Sequence, residues 1–254
     1  MLGSSYLYAM QRLACLMLLL ILAIPGKSQI NSSDALLDAM LKKYTGKWCR
    51  TATFVQYTYR PNDSLNKYMT WYEAMEYPDL LRIDFNSTTK GNAALFRNDS
   101  AYRYRKGLLQ DIRVDKHDLL LILGGMYFRK KQDVISRLAE LNYHLDHFSE
   151  NTWNGQPVYV LGAEKGDTVN NQIWVDKSEL RVVRTISKLS ASEVLDMRVE
   201  ACVKACGGYM ESKLGFYING KLDQLEVYKE LQTGVKIDPA VFDPKQFGKV
   251  HWRK

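Results

Sequence analysis

The stretch Lys67–Phe85, KYMTWYEAMEYPDLLRIDF, decides the fold of this chain. It contains two aromatic-rich β segments that fold back at Pro78-Asp79. The second segment places side chains of different character on opposite faces, with Leu81, Ile83 and Phe85 on one face and Arg82 and Asp84 on the other. We therefore expect a strand with one apolar face and one face toward water. The pattern recurs along the chain and predicts an antiparallel sheet.

The N-terminus indicates export. Arg12 precedes the apolar run Leu13–Ile24, and small residues follow within Pro25–Gln29. A basic start, a short apolar core and small residues near a cleavage point are typical of a secretory signal peptide, and the run is shorter than the roughly 20 residues of a membrane span. The sequence thus predicts a signal peptide at 1–28 and a single domain at 29–254.

Composition excludes several classes of function. The 254 residues carry a formal net charge of +7, and the basic residues are scattered rather than clustered with aromatics. The densest group is Lys130-Lys131 after Arg129. We expect no nucleic-acid partner and interpret the charge as an aid to solubility. The chain is predicted to be a monomer.

The cysteines leave three pairings open. Of the 4 cysteines, Cys15 lies in the predicted signal peptide. On one strand, Cys202 and Cys206 would be roughly 13 Å apart, too far for a disulfide, unless a turn at Gly207-Gly208 brings them together. Cys49 with either of them is the alternative. An odd number leaves at least one thiol free or paired between chains.

Three helices are predicted among the strands. Ser32-Ser33-Asp34 can begin a helix that Gly46 ends, with an apolar stripe formed by Leu36, Leu37, Met40, Leu41 and Tyr44. Asp115 can cap a second helix through Leu119–Leu123, which is apolar all round and must either be buried or cover something apolar. A third helix is expected over Gln132–Leu141, so that the last two form a helical insertion across the sheet.

The remaining segments predict a mainly β fold with a helical lid (α+β). We expect about ten or eleven strands at short spacing, forming a curved antiparallel sheet or a barrel. One of these strands is expected at Tyr143–Phe148, followed by a hairpin turn at Asn154-Gly155. The tail Val235–Phe247 is expected to wrap the sheet edge.

No pattern of residues indicates catalysis, a cofactor or a metal. His144-Leu145-Asp146-His147 resembles a metal site but lacks a third ligand. Asp84 with Glu73 could be a carboxylate pair for glycoside chemistry, although acids on the wet face of a sheet are the simpler interpretation. There is no Gly-x-Ser-x-Gly elbow. We predict a non-enzyme. A hydrolase would instead need a cleft joining His117 or His144 to an acid and a nucleophile.

The chain has more apolar surface than one curled sheet requires. The helices could simply complete the core. Alternatively, they cover a cavity for acyl chains, because ligand cavities are mostly apolar with a few polar groups. The candidate residues of the cavity and its cover are Phe54, Trp71, Leu81, Ile83, Phe85, Leu119, Leu120, Ile122 and Leu123.

Short motifs along nearly the whole mature chain resemble those of the periplasmic lipoprotein carrier family LolA. In chain order they are Phe54-Val55-Gln56, Pro78–Asp84, Asn98–Tyr104, Leu119–Leu123, Gln172–Asp176 and Val241–Pro244. The resemblance implies an incomplete β-barrel with a helical lid, a periplasmic location, and carriage of lipoprotein acyl chains or lipids toward the outer membrane. It also implies an inner-membrane releasing complex and an outer-membrane acceptor as partners.

One position departs from that family. In members that deliver lipoproteins, the residue just before the proline is an arginine, and this arginine ties the lid shut. In this chain Tyr77 stands at that position. Control of the lid would therefore differ. The same fold also serves envelope-stress sensors and outer-membrane acceptors, so a regulatory or scaffolding role in the envelope is the alternative.

Overall fold

A computed structural model describes residues 30–253, which build one antiparallel sheet of thirteen strands. The predicted signal peptide at residues 1–28 lies outside the described residues. From Ser32 onward the chain forms a single unit. None of the helices in the described part of the chain is both long and apolar enough to cross a membrane.

The strands fall into two consecutive sets. Strands β1 to β6 are Thr51–Tyr59, Tyr68–Glu76, Leu80–Phe85, Ala93–Arg97, Ser100–Arg105 and Leu108–Val114. Strands β7 to β13 are Phe148–Trp153, Gln156–Leu161, Gln172–Asp176, Val182–Lys188, Val194–Ala205, Gly208–Ile218 and Lys221–Thr233. Each set is an up-and-down meander, and the two sets join where β1 pairs with β13.

The sheet is open, because β6 and β7 are its two edges and do not pair with each other. The expected ten or eleven strands are too few. The strand predicted at Tyr143–Phe148 is wrong, since this stretch is a loop and β7 only begins at Phe148. The Tyr143 amide still donates to the Leu138 carbonyl at 2.9 Å, which holds the chain against the preceding helix and delays the strand.

The helices are α1 (Ser33–Tyr44), α2 (Asp118–Ile122) and α3 (Lys131–Glu140), with short 3-10 helices at Gly125–Phe128, Pro239–Phe242 and Pro244–Gln246. We call residues 118–140 the helical insertion. Ser32 caps α1 by accepting from the Ala35 amide at 3.1 Å, as predicted. The predicted Asp115 cap of α2 is wrong. The His117 ring nitrogen Nδ1 accepts from the Leu120 amide at 3.3 Å, and Asp115 instead accepts from the His117 amide.

Helix α1 buries the stripe that its sequence predicts, and it packs against the 3-10 helix of the insertion and against β8. At its C-terminal end the Tyr44 ring lies 4.9 Å from the Trp48 ring and 5.2 Å from the Tyr127 ring, measured between centroids. These aromatic contacts connect α1 to the insertion.

The two faces of the sheet are covered by different parts of the chain. We call the face of Met75 and Leu81 the inner face, and the face of Ala74 and Arg82 the outer face. The expectation that the outer face of β3 is wet is wrong, because residues 235–253 cover it. Nor does this tail wrap the sheet edge. Its apolar side chains pack on the interior strands β2 to β4, where they bury the surface of Ala74 and its neighbours.

A disulfide joins Cys49 to Cys206, with their Cα atoms 5.4 Å apart, and Cys202 is free. This selects one of the three pairings that the sequence left open. The Gly207 amide donates to the Lys47 carbonyl at 2.7 Å beside the disulfide. The β11–β12 turn is thereby fixed to the segment between α1 and β1.

Candidate functional site

A cavity of ≈ 220 Å³ lies between the inner face of the central strands and helix α2. Most of its lining is apolar, because the inner-face positions of β1, β2, β3 and β12 alternate with outer-face positions along each strand. The apolar strand residues are Phe54, Met75, Leu81, Ile83, Met210, Leu214 and Phe216. The insertion contributes Leu119, Leu120 and Leu123 from the opposite side.

Six of the nine predicted cavity residues lie along this cavity: Phe54, Leu81, Ile83, Leu119, Leu120 and Leu123. Trp71 and Phe85 do not line it. They are cross-strand neighbours farther along the inner face, with ring centroids 5.2 Å apart. Ile122 is fully buried and lines a smaller neighbouring cavity, which is also lined by Trp48 and Tyr127. Ile122 faces that neighbour because one helical turn cannot place all five aliphatic residues on one side.

Three buried glutamates belong to the lining, and the sequence analysis missed them. Glu73, Glu211 and Glu226 are only 4%, 6% and 6% exposed. The expected wet-face pair of Asp84 with Glu73 is wrong, since Glu73 is on the inner face, Asp84 is on the outer face, and both are buried. Glu73 follows Trp71 by two residues on β2, so the strand alternation could have placed it in the cavity.

Glu226 is held by neighbouring polar side chains. The Gln224 amide donates to its Oε1 at 2.5 Å, and the Tyr228 hydroxyl donates to its Oε2 at 2.8 Å. Both hydrogen bonds favour the ionised form, yet burial outweighs them and raises the pKa of Glu226 to about 7. This carboxyl group therefore changes charge near neutral pH.

Glu73 is buried without such support. Burial raises the pKa of its carboxyl group well above the usual value, and the nearby Glu226 raises it further. The Glu73 oxygen Oε1 has no hydrogen-bond partner. Burial likewise raises the pKa of Glu211 to about 7, although Arg181 opposes the rise. The cavity thus holds one acid with an unpartnered oxygen, whose ionisation is strongly opposed by burial, and two acids whose pKa values lie near neutral pH.

Positive charge is scarce around these acids. Among the described lining residues, His117 is the one basic residue, and no lysine or arginine is present. Burial lowers the pKa of His117, and its Nδ1 is occupied by the Leu120 amide. An anionic ligand would therefore find no counter-charge in the lining.

The lining also lacks a nucleophile of the usual kind, because the residues that the structure describes there include no serine, threonine or cysteine. His144 and His147 lie in the loop before β7, where the His147 Nδ1 is 3.0 Å from the Glu164 carboxylate. Within residues 30–253, no group of three or more His, Cys, Asp or Glu side chains is placed to hold a metal ion.

Tyr77 contacts the insertion through its ring. It is buried, it lies against Gly124 so closely that a Cβ there would overlap the ring, and it stacks on Phe128 with centroids 5.8 Å apart. The Tyr77 ring therefore packs against the insertion.

Two ion pairs connect the insertion to turns of the sheet. Arg129 pairs with Asp79 in the β2–β3 turn, and Arg137 pairs with Asp99 in the β4–β5 turn at 2.8 Å. We call these the insertion ion pairs. A third contact joins α3 to α1, where Lys131 lies 2.7 Å from Asp34 and 2.8 Å from Asp38. These side chains are partly exposed, so each pair contributes modestly and can open.

Comparison with solved structures identifies the fold. A DUF1329 family protein from Desulfovibrio piger is similar over 85% of this chain and 97% of its own, with a TM-score of 0.54 and 14% identity. A LolA superfamily protein from Nitrosomonas europaea is similar over 85% and 99%, with a TM-score of 0.54 and 12% identity. A putative outer membrane lipoprotein-sorting protein domain from Vibrio parahaemolyticus is similar over 84% of this chain and 97% of its own, with a TM-score of 0.53 and 11% identity.

These likenesses confirm the predicted LolA-like fold, and at such identities they concern the fold alone. No family model matches the sequence, and no curated protein matches it. Function has to be inferred from the cavity itself.

Proposed function

We propose that this protein is a non-enzymatic carrier that binds acyl chains of lipoproteins or lipids in the cavity under the helical insertion. The observation that carries the proposal is the apolar lining, which strands and insertion supply from opposite sides. Each buried methylene stabilises a bound chain by about 0.8 kcal/mol, so eight carbons contribute about 6 kcal/mol before the cost of association. No covalent step is required.

The helical insertion is the lid in this proposal. Leu119, Leu120 and Leu123 would cover the bound chain, and the insertion ion pairs would hold the lid on the sheet. Release then requires that these pairs open, or that a receiving partner binds the chain more tightly. Tyr77 would contribute ring packing against Gly124 where the LolA family uses an arginine.

The proposed location is the periplasm, reached through cleavage of the signal peptide. The proposed partners are an inner-membrane complex that loads the carrier and an outer-membrane acceptor that unloads it, and the carrier itself would act as a monomer. The lipoprotein-sorting protein domain from Vibrio parahaemolyticus supports this proposal through its fold.

Native mass spectrometry of the mature protein purified from its host envelope tests the proposal. We expect acylated species to co-purify with the wild type and to be lost from Leu119→Asp, because a carboxylate in the apolar lining would oppose a bound chain. Leu119 is only half-buried, so its substitution leaves most of the core intact.

The matched control is Leu65→Asp, since Leu65 is 91% exposed and lies outside the cavity. This variant should retain the acylated species. A wild-type protein of clean apo mass that does not shift when lipid or acylated peptide is added would contradict the carrier function. The assignment would then move to an envelope sensor or scaffold of the same fold.

A further inference from the structure

The polar part of the cavity points to the chemistry of its ligand. A buried polar atom is normally paired with a hydrogen-bond partner, and an exception requires an explanation. Glu73 is 4% exposed, it borders the cavity, and its Oε1 has no partner. The cavity is the space beside this carboxyl group from which a ligand can supply the partner.

We propose that the cavity selects an alkyl chain that carries a protonated primary amine, with Glu73 as the main contact for the ammonium group. This inference rests on the proposed function and specifies its ligand. Glu211 and Glu226 border the same space, and the described lining contains no lysine or arginine. An ammonium group offers both the hydrogen-bond donor and the positive charge that the site lacks.

Ligands of other charge would fit less well. A carboxylate or phosphate head would add an anion beside three acids and would leave the Glu73 oxygen without a donor. A hydroxyl head could donate one hydrogen bond to Glu73 but would bring no charge. The apolar remainder of the lining accepts the alkyl chain in every case, so the head group decides the preference.

Isothermal titration calorimetry with three ligands of equal chain length tests the proposal: octylamine, 1-octanol and octanoic acid. We expect octylamine to bind at least tenfold more tightly than octanoic acid at pH 7.5, with octanol between them. In Glu73→Gln the ratio of the affinity for octylamine to the affinity for octanoic acid should fall severalfold. Glu76→Gln is the matched control, because Glu76 lies three residues away on the outer face of the same strand, and its ratio should not change.

The outcomes separate this inference from the proposed function. If none of the three ligands binds, the carrier function itself fails. If octanoic acid binds as tightly as octylamine, the amine preference is refuted while the carrier function stands. Should Glu73→Gln fail to fold, Glu226→Gln provides the second variant. An unchanged preference in every glutamine variant that folds would overturn the role of the acids.

Discussion

The two faces of strands β2 and β3 bury acids in opposite ways. On the outer face Asp84 is 1% exposed and is fully engaged, because Arg82 donates to both of its oxygens at 2.8 and 3.1 Å. His251 lies 2.9 Å from the same carboxylate. On the inner face Glu73 is almost as buried, yet one of its oxygens has no partner.

In our proposal, this difference separates a structural acid, Asp84, from a binding acid, Glu73. The outer Arg82 also donates to the Val250 carbonyl at 2.9 Å, so the ion pair fastens the C-terminal tail to the sheet. Because protein groups already pair with both oxygens of Asp84, this carboxylate does not need a ligand as a partner. The inner acid lacks such partners, and a carboxyl group with an unpartnered oxygen beside an apolar cavity is the feature that a ligand can satisfy.

The largest expected effect comes from breaking the outer pair. In Asp84→Ala the guanidinium group of Arg82 would remain buried without its counter-charge, which costs about 3–5 kcal/mol of unfolding free energy. Urea unfolding followed by tryptophan fluorescence measures this loss. Asp111→Ala is the control, because the exposed Arg113–Asp111 pair contributes less than about 1 kcal/mol. A loss below 1 kcal/mol in Asp84→Ala would contradict the structural role.

An inner-face substitution should have the opposite sign. Burial raises the folded-state pKa of Glu211 to about 7 from the usual 4.5, so between these pH values the folded protein holds a proton that the unfolded chain has lost. Stability therefore falls as pH rises through that window. Glu211→Gln should be more stable than the wild type by up to about 3 kcal/mol at pH 8, and this difference should shrink to less than about 1 kcal/mol at pH 5.

Urea titrations of both proteins at the two pH values test this second prediction. The difference between variant and wild type isolates Glu211 from His117, whose pKa is lowered in both. Glu76→Gln serves as the outer-face control and should not change the pH dependence. If the difference in stability between Glu211→Gln and the wild type is the same at pH 5 and pH 8, Glu211 is not desolvated.

Glu73→Met should stabilise the ligand-free protein by about 1 kcal/mol, because it replaces an unpartnered polar group with an apolar side chain of similar length. The same substitution should remove the preference for octylamine. Thermal unfolding without ligand and calorimetry with octylamine give the two values. A destabilised variant would indicate that the Glu73 carboxyl group already has a partner in the empty cavity.

The smallest effect is expected at the lid. Arg137→Ala removes an insertion ion pair between partly exposed groups, so stability should change by less than about 1 kcal/mol. Octylamine should nevertheless enter faster in stopped-flow experiments. Lys116→Ala is the control, because Lys116 pairs with Glu140 at the end of α3 and not with the sheet. Equal entry rates in all three proteins would refute a lid held by the Arg137–Asp99 pair.

Local sequence patterns predicted much of the fold. The Ser32 cap and the apolar stripe place α1 correctly, and the alternation of Leu81 with Arg82 assigns the faces of β3. Alternation states which residues share a face, but it does not state what covers that face. Arg82 is buried by Val250, which lies 168 residues later, and no local pattern contains that contact.

The cavity could be predicted in part for the same reason. Its apolar residues follow from alternation in β3 and from the aliphatic run of α2, whereas the interpretation of Glu73 as a solvent-facing acid is wrong and Glu211 and Glu226 were missed. Glu73 could have been placed by its spacing from Trp71. Glu211 could not, since it borders the cavity together with its strand neighbour Met210, in a strand whose pairing with β11 contains register shifts.

The most direct test of the central claim is NMR of protein labelled with ¹³C at the methionine methyl groups. Met75 and Met210 line the cavity, whereas Met69 and Met197 lie outside it. We predict that saturating octylamine shifts the Met75 and Met210 signals and leaves the other two unchanged. Unchanged Met75 and Met210 signals, or shifts confined to Met69 and Met197, would contradict a chain bound under the helical insertion.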